Sequence, residues 1–138
     1  TAEEIKWQVA SVSPNGRKES IEVRGRDLLT GLPRTFSVTS DDCRIALKDS
    51  VDAILARIHS VLEECPPELA SDIVDNGIYI TGGGALLDGF AEVLQKETGI
   101  TPYVADNPLQ CVALGTGKAL ENLDRLHPGM IYNSSNLI

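Results

Sequence analysis

The residues of this chain whose types and spacing could do chemistry are three consecutive glycines between two apolar runs, Ile80-Thr81-Gly82-Gly83-Gly84-Ala85-Leu86-Leu87. A strand that ends in glycines and opens a helix leaves backbone N–H groups unpaired at the positive end of the helix dipole. That suits a phosphate or the polar edge of a nucleotide. Glycine also lets a ligand come up to the backbone with no side chain in the way. The same residues equally suit a tight strand-to-helix turn that holds nothing, and by themselves they leave both readings open. The familiar nucleotide fingerprints do not fit. A dinucleotide GxGxxG starting at Gly82 needs a glycine where Leu87 stands, and one starting at Gly115 needs it where Leu120 stands. Gly117-Lys118 is followed by Ala119, and Val112 occupies the first glycine position of a phosphate loop.

Other candidate groups are weaker. The stretch Val112-Ala113-Leu114-Gly115-Thr116-Gly117-Lys118-Ala119 spaces small residues two and four apart, a pattern that admits a closely packed neighbouring backbone and reads as helix packing. The carboxylate pairs Glu3-Glu4, Asp41-Asp42 and Glu63-Glu64, with Glu121, read as solvated helix faces. Neither His59 nor His127 stands near a glycine-framed nucleophile. Cys43, Cys65 and Cys111 are odd in number and never form a CxxC pair, so they read as structural thiols of a reducing cytosol. A net charge of −8 is wrong for a duplex nucleic-acid face and for adsorption to anionic lipid. No apolar run approaches the roughly 20 residues that span a bilayer, and no basic start leads into the apolar stretch of a signal peptide.

The elements that must position the glycines follow from periodicity. Thr1 to Lys6 reads as a helix already under way, and the chain is expected to be part of a longer protein. Residues 7 to 39 read as strand and hairpin: Ile21 and Val23 alternate with Glu22 and Arg24, and Phe36 and Val38 with Ser37 and Thr39. Asn15-Gly16 and Thr30-Gly31-Leu32-Pro33 supply turns. From Ser40 or Asp41 the period becomes helical to about Glu64, with Leu47, Val51, Ile54, Leu55, Ile58, Val61, Leu62 and Cys65 on its stripe. Pro66-Pro67 ends it, and a short helix covers Glu68 to Val74. A strand from Ile78 to Thr81 then leads through the glycines into a helix predicted from Ala85 to Thr98, closed by Gly99. A strand at Tyr103 to Ala105 precedes a last helix ending near Leu126. With only two strands for this second sheet, its edges stay open, and the chain is expected to fold yet to self-associate or be only marginally stable.

Five ordered segments, TAEEIK, VRGRDLLTGLPRT, PPELASDI, GIYITGGGALLDGF and VALGTGKALENL, resemble the carboxy-terminal half of MreB-type bacterial actins and together cover nearly the whole chain. The resemblance implies an α/β, actin-like ATPase (ribonuclease H-like) fold. Within it, residues 1–39 form a small β-rich outer subdomain, 40–127 an inner subdomain, and 128–138 a mobile tail. It implies that Gly82, Gly83, Gly84 and Ala85 form the adenosine motif of an ATP site, and that Ala2, Glu3 and Glu4 face it across the cleft, with Glu4 expected to accept from a ribose hydroxyl and Glu3 the next candidate. The helix around Gly115, Gly117 and Ala119 resembles an interdomain connection. By the same resemblance, the magnesium ligands, the phosphate-binding hairpins and the membrane-inserting elements lie outside this stretch. The stretch alone is therefore expected not to hydrolyse ATP, since phosphoryl transfer needs metal, phosphate cradle and positioned water together. The implied partners are further copies in a filament and membrane proteins of cell-wall synthesis, with the whole protein cytoplasmic and peripheral to the membrane's inner face. Trp7, Cys43 and the tail beyond Leu126 depart from the family pattern, and none is expected to touch the ligand. A sugar kinase or chaperone ATPase of the same superfamily would share the glycines but not VRGRDLLTGLP or PPELASDI. A nucleotide-free interaction module is the alternative of a different class.

Overall fold

The structure is a computed structural model that describes residues 1–123; the tail and the last helix's expected end near Leu126 lie outside the described residues. It opens with α1 (Ala2–Val9). The predicted strand at Trp7 is thus replaced by a continuing helix. Glu3, Lys6, Trp7 and Ala10 are spaced three and four apart, the spacing of one helix face, and that local pairing outweighs the strand pattern. After a turn at Asn15-Gly16 come β1 (Ser20–Arg26) and β2 (Pro33–Thr39), antiparallel, with Ile21 opposite Val38 and Val23 opposite Phe36. The hairpin loop is organised by Asp27, whose Oδ1 accepts from the N–H groups of Leu29 and Thr30 at 2.8 and 3.1 Å. Gly31 closes the loop at φ +72°, where L side chains are strained.

Helix α2 (Ser40–Glu63) is capped by Thr39, one residue before the nearer of the expected caps, Ser40. The Thr39 hydroxyl accepts from the Asp42 N–H while the Asp42 carboxylate accepts from the Thr39 N–H, a reciprocal capping box. Its buried positions are Cys43, Val51 and Leu55, whereas Ile54 and Val61 of the predicted stripe are exposed. The stripe was read too wide. Ile54 and Val61 instead line an open apolar groove of about 750 Å³ beside α3 (Pro67–Asn76).

Strands β3 (Ile78–Ile80) and β4 (Pro102–Val104) pair in parallel, joined through a 3₁₀ turn (Gly83–Leu86) and α4 (Phe90–Thr98). The helix expected from Ala85 therefore starts five residues later. Leu87 is extended, at φ −68° and ψ 122°. The Asp88 backbone then bridges to Ser11, drawing the chain away from a helical path, and Gly89 turns it back at φ +77°.

Two apolar clusters hold these pieces. One contains Val12, Val51, Leu55, Phe90 and Leu94; the other contains Val9, Ala10 and Cys43. Leu47 and Leu87 pack against both, so the residue just after the glycine turn links the two cores. Helix α5 (Cys111–Glu121) buries none of its residues, and Val112, Leu114 and Leu120 are exposed. A side chain built on Gly115 or Gly117 would meet nothing within 4 Å. The close packing expected at these small residues is not supplied by the described part of this chain.

Candidate functional site

The glycine turn and α1 are more than seventy residues apart in sequence and face each other across a cleft. One wall is Glu3, Lys6, Trp7 and Ala10; the other is Gly83, Gly84, Leu86 and Leu87, with Arg17 and Asp88 between them. The cavity is about 100 Å³. Complete small-molecule sites span roughly 300–1,000 Å³, so this is the size of part of a site.

On the α1 wall, Glu3 Oε1 lies 2.7 Å from Lys6 Nζ and accepts from Trp7 Nε1 at 2.8 Å. The Lys6 ammonium, and after it the Trp7 indole N–H, hold the Glu3 carboxyl below the ordinary carboxylate range. Its other oxygen has no partner among the described residues and can accept from a hydroxyl.

The opposite wall is backbone. Gly82 donates its N–H to Pro108 O at 2.8 Å, and Ala85 donates to Gly82 O at 3.2 Å. Neither the Gly83 nor the Gly84 N–H has an acceptor among the described residues. Only Gly82, at φ +77°, is required to be glycine by its backbone. A Cβ on Gly83 would make ordinary contact with Leu109 Cδ2 at 3.5 Å, and one on Gly84 would meet nothing within 4 Å. What glycine provides at 83 and 84 is therefore bare backbone, with open space beyond Gly84.

Asp88 fixes the distance between the walls. Its Oδ2 accepts from the Arg17 N–H at 2.9 Å, its Oδ1 lies 3.7 Å from Arg17 Nε, and its carbonyl accepts from Val12 N–H at 2.9 Å. Arg17 Nη1 in turn donates to Trp7 O and Gln8 O at 3.2 and 3.1 Å, covering carbonyls at the end of α1. The Arg17 backbone N–H, the Ser11 hydroxyl and then the Arg17 charge hold the Asp88 carboxyl below its usual range. The fit is tight: a Cβ on Gly16 would lie 2.0 Å from Ser11 Oγ, and one on Gly89 2.5 Å from Ser13 Cβ.

Of the residues singled out from sequence, Glu3, Gly83 and Gly84 come together on this cleft. Ala2, Glu4 and Gly82 do not line it, and the Ala85 side chain is buried away from it. The expectation that no departure from the family pattern touches the contacts fails for Trp7, which forms part of the wall. Lys6, Arg17 and Asp88 were also missed. The first was legible as the i+3 neighbour of Glu3; the other two depend on a contact across 71 residues. Among the described residues, no Ser, Thr, Cys or His lines the cleft. What the arrangement offers is recognition: a hydroxyl-accepting carboxylate, two free N–H donors and apolar walls.

Residues 1–128 match the family model described as MreB/Mbl protein. The chain is similar to the cell shape-determining protein Mbl of Bacillus subtilis, at 51% identity over 91% of this chain and 38% of that protein. It is similar to the cell shape-determining protein MreB of Escherichia coli, at 47% identity over 96% of this chain and 38% of that protein. Among solved structures, MreB5 of Spiroplasma citri bound to ADP superposes with a TM-score of 0.84 at 32% identity, over 89% of this chain and 37% of that one. The AMPPNP-bound form superposes with a TM-score of 0.84 at 31% identity, over 91% and 38%. The chain thus spans well under half the length of the relatives it matches.

Proposed function

Because this chain belongs to the MreB/Mbl protein family, we propose that it supplies the adenosine-binding part of an ATP site in a bacterial actin that polymerises and determines cell shape. Its fold is the actin-like ATPase fold. The observation that carries the proposal is the meeting of Glu3 with Gly83 and Gly84 on one cleft of partial-site size. Nucleotides bound to the Spiroplasma citri structures support the same reading.

In this assignment the unpaired oxygen of Glu3 accepts from a ribose hydroxyl, while the Gly83 and Gly84 N–H groups face the polar edge of the nucleoside. Glu3 is preferred to Glu4 because it shares a helix face with Lys6 and Trp7 and lines the cleft. Motif order supports placing the chain in the carboxy-terminal part of the whole protein, with 1–39 as the outer subdomain and 40–127 as the inner one. Val12 packs with Val51, Leu55, Phe90 and Leu94, so the outer stretch lends a residue to the inner core. No group of three His, Cys, Asp or Glu among the described residues is arranged to hold a metal, and we assign magnesium to none of them. No helix of the described residues is long and apolar enough to cross a membrane. Filament assembly, contact with wall-synthesis membrane proteins and residence at the membrane's inner face are proposed for the whole protein from its family.

Calorimetric titration of the intact protein with ATP tests the assignment. Gly83→Val puts a branched side chain beside the bare backbone with its Cβ in ordinary contact with Leu109, so the fold is expected to stay intact while affinity falls by about 1–3 kcal/mol, the cost of leaving polar groups buried without partners. Unchanged affinity in a folded Gly83→Val protein would remove the glycine turn from the site.

A further inference from the structure

We infer that Trp7 is a nucleobase-contacting residue: its indole face forms the stacking wall of the cleft, and it favours purines over smaller bases. The inference rests on the nucleotide reading above and adds a residue and a selectivity to it.

Four observations carry it. Trp7 is the chain's one tryptophan, and it lines the cleft with 53% of its surface exposed, although so large an apolar ring is on average well buried. Its indole N–H already donates to Glu3 Oε1 at 2.8 Å, so the ring's apolar surface is what remains for a ligand. That bond, together with the Arg17 guanidinium donating to the Trp7 carbonyl at 3.2 Å, holds the side chain at one end and the backbone at the other. The ring is thus oriented before any ligand arrives, and little rotamer freedom remains to be lost on binding. The facing wall is the bare backbone of Gly83 and Gly84; a side chain at Gly84 would meet nothing within 4 Å, and one at Gly83 only ordinary contact with Leu109. A ring on one side and bare backbone on the other make a slot suited to a flat heterocycle.

The chemistry of such a slot is stacking. Every base offers a π face to an aromatic side chain, so the contact tolerates base identity but scales with ring area. A two-ring purine covers more of an indole than a one-ring pyrimidine. Selection by Trp7 therefore separates ATP and GTP from CTP and UTP, and does not separate ATP from GTP.

The test measures affinities of the intact protein for ATP, GTP, CTP and the base-free ribose 5-triphosphate, in wild type, Trp7→Leu and Trp7→Phe. Trp7 leaves no core cavity when replaced, because it contributes to neither apolar cluster. Trp7→Leu is expected to lower ATP and GTP affinity about tenfold or more, to lower CTP affinity less, and to leave ribose 5-triphosphate unchanged. Trp7→Phe keeps a π face without an N–H and is expected to stay within about threefold of wild type for ATP. Equal losses in Trp7→Phe and Trp7→Leu would show that the residue acts through its hydrogen bond to Glu3, and would overturn stacking. A wild type that binds ATP with an ATP-to-ribose-triphosphate ratio indifferent to Trp7→Leu would overturn this inference and leave the nucleotide site standing. A wild type that binds none of the four would overturn both.

Discussion

Two pairs of glycines in this chain meet opposite surroundings. Around the cleft, Gly16 and Gly89 sit where an added Cβ would collide with Ser11 and Ser13, because the loop after α1 is drawn tight against Asp88. Along α5, Gly115 and Gly117 face nothing within 4 Å. The difference lies in what each glycine meets, and it teaches that a glycine pattern reports a need for room without saying whether backbone, ligand or another part of the protein occupies it.

The sharpest way to break the comparison is to add one methyl to each region. Gly89→Ala must hold a left-handed residue, which costs about 1–2 kcal/mol. It must also displace Ser13, and overpacking of that kind costs about 1–3 kcal/mol more. A loss of several kcal/mol in urea unfolding is expected; a loss under 1 kcal/mol would mean that the loop yields and the interlock is loose.

A smaller effect is expected at the carboxylate that ties this region together. Asp88→Asn weakens the charge-assisted bond from the Arg17 N–H and the ion pair with its guanidinium, for a loss of about 1.5–3 kcal/mol near neutral pH. The sign of its pH dependence follows from its depressed folded pKa. The ionised group stabilises above the unfolded aspartate value of about 3.9, and that contribution disappears as pH falls through the folded value. The gap between wild type and Asp88→Asn should therefore narrow below about pH 4. A gap that stays constant from neutral pH into that acid range would show that the charge is not what holds the walls.

The smallest effect, with the opposite sign, belongs to α5. In the isolated chain Gly115→Ala should stabilise by about 0.5–1 kcal/mol, since helix propensity improves and nothing is displaced. If the same change destabilises the intact protein, a backbone from elsewhere in it packs on this face, as the spacing of small residues suggests. Neutrality in both would leave the α5 pattern without a packing role.

Legibility from sequence tracked how local each cause was. The hairpin was readable because Ile21, Val23, Phe36 and Val38 alternate, and they pair in that register. Most of α2 was readable because Leu47, Val51, Leu55 and Ile58 recur at helical spacing. Ile54 and Val61 were misplaced because apolarity alone does not say which side of a helix has a covering layer. Trp7 was given to a strand although its spacing from Glu3 is four, a signal that was present and outweighed by its β propensity. The 3₁₀ turn after the glycines was not readable, since it is imposed by Ser11 and Val12 holding the Asp88 backbone from 77 and 76 positions away. The glycines stood out by their own spacing, whereas Ala2, Glu3 and Glu4 came from the family resemblance; the cleft that joins Glu3 to Gly83 and Gly84 came only from the fold.

The Arg17–Asp88 tie also bears on how the cleft comes into being. The Glu3–Lys6–Trp7 wall joins residues three and four apart and can form as soon as one helical turn does, on the submicrosecond scale of helix formation. The other wall takes its place only when a loop of 71 residues closes. Closure entropy grows only slowly with length, by about 0.6 kcal/mol per doubling, but nothing offsets it until the contacts at its ends are made. Long-range contacts of this kind are what slow a fold. The cleft is therefore assembled from the earliest and the latest pieces of the folding reaction, and a chain whose helices are already formed still has no cleft.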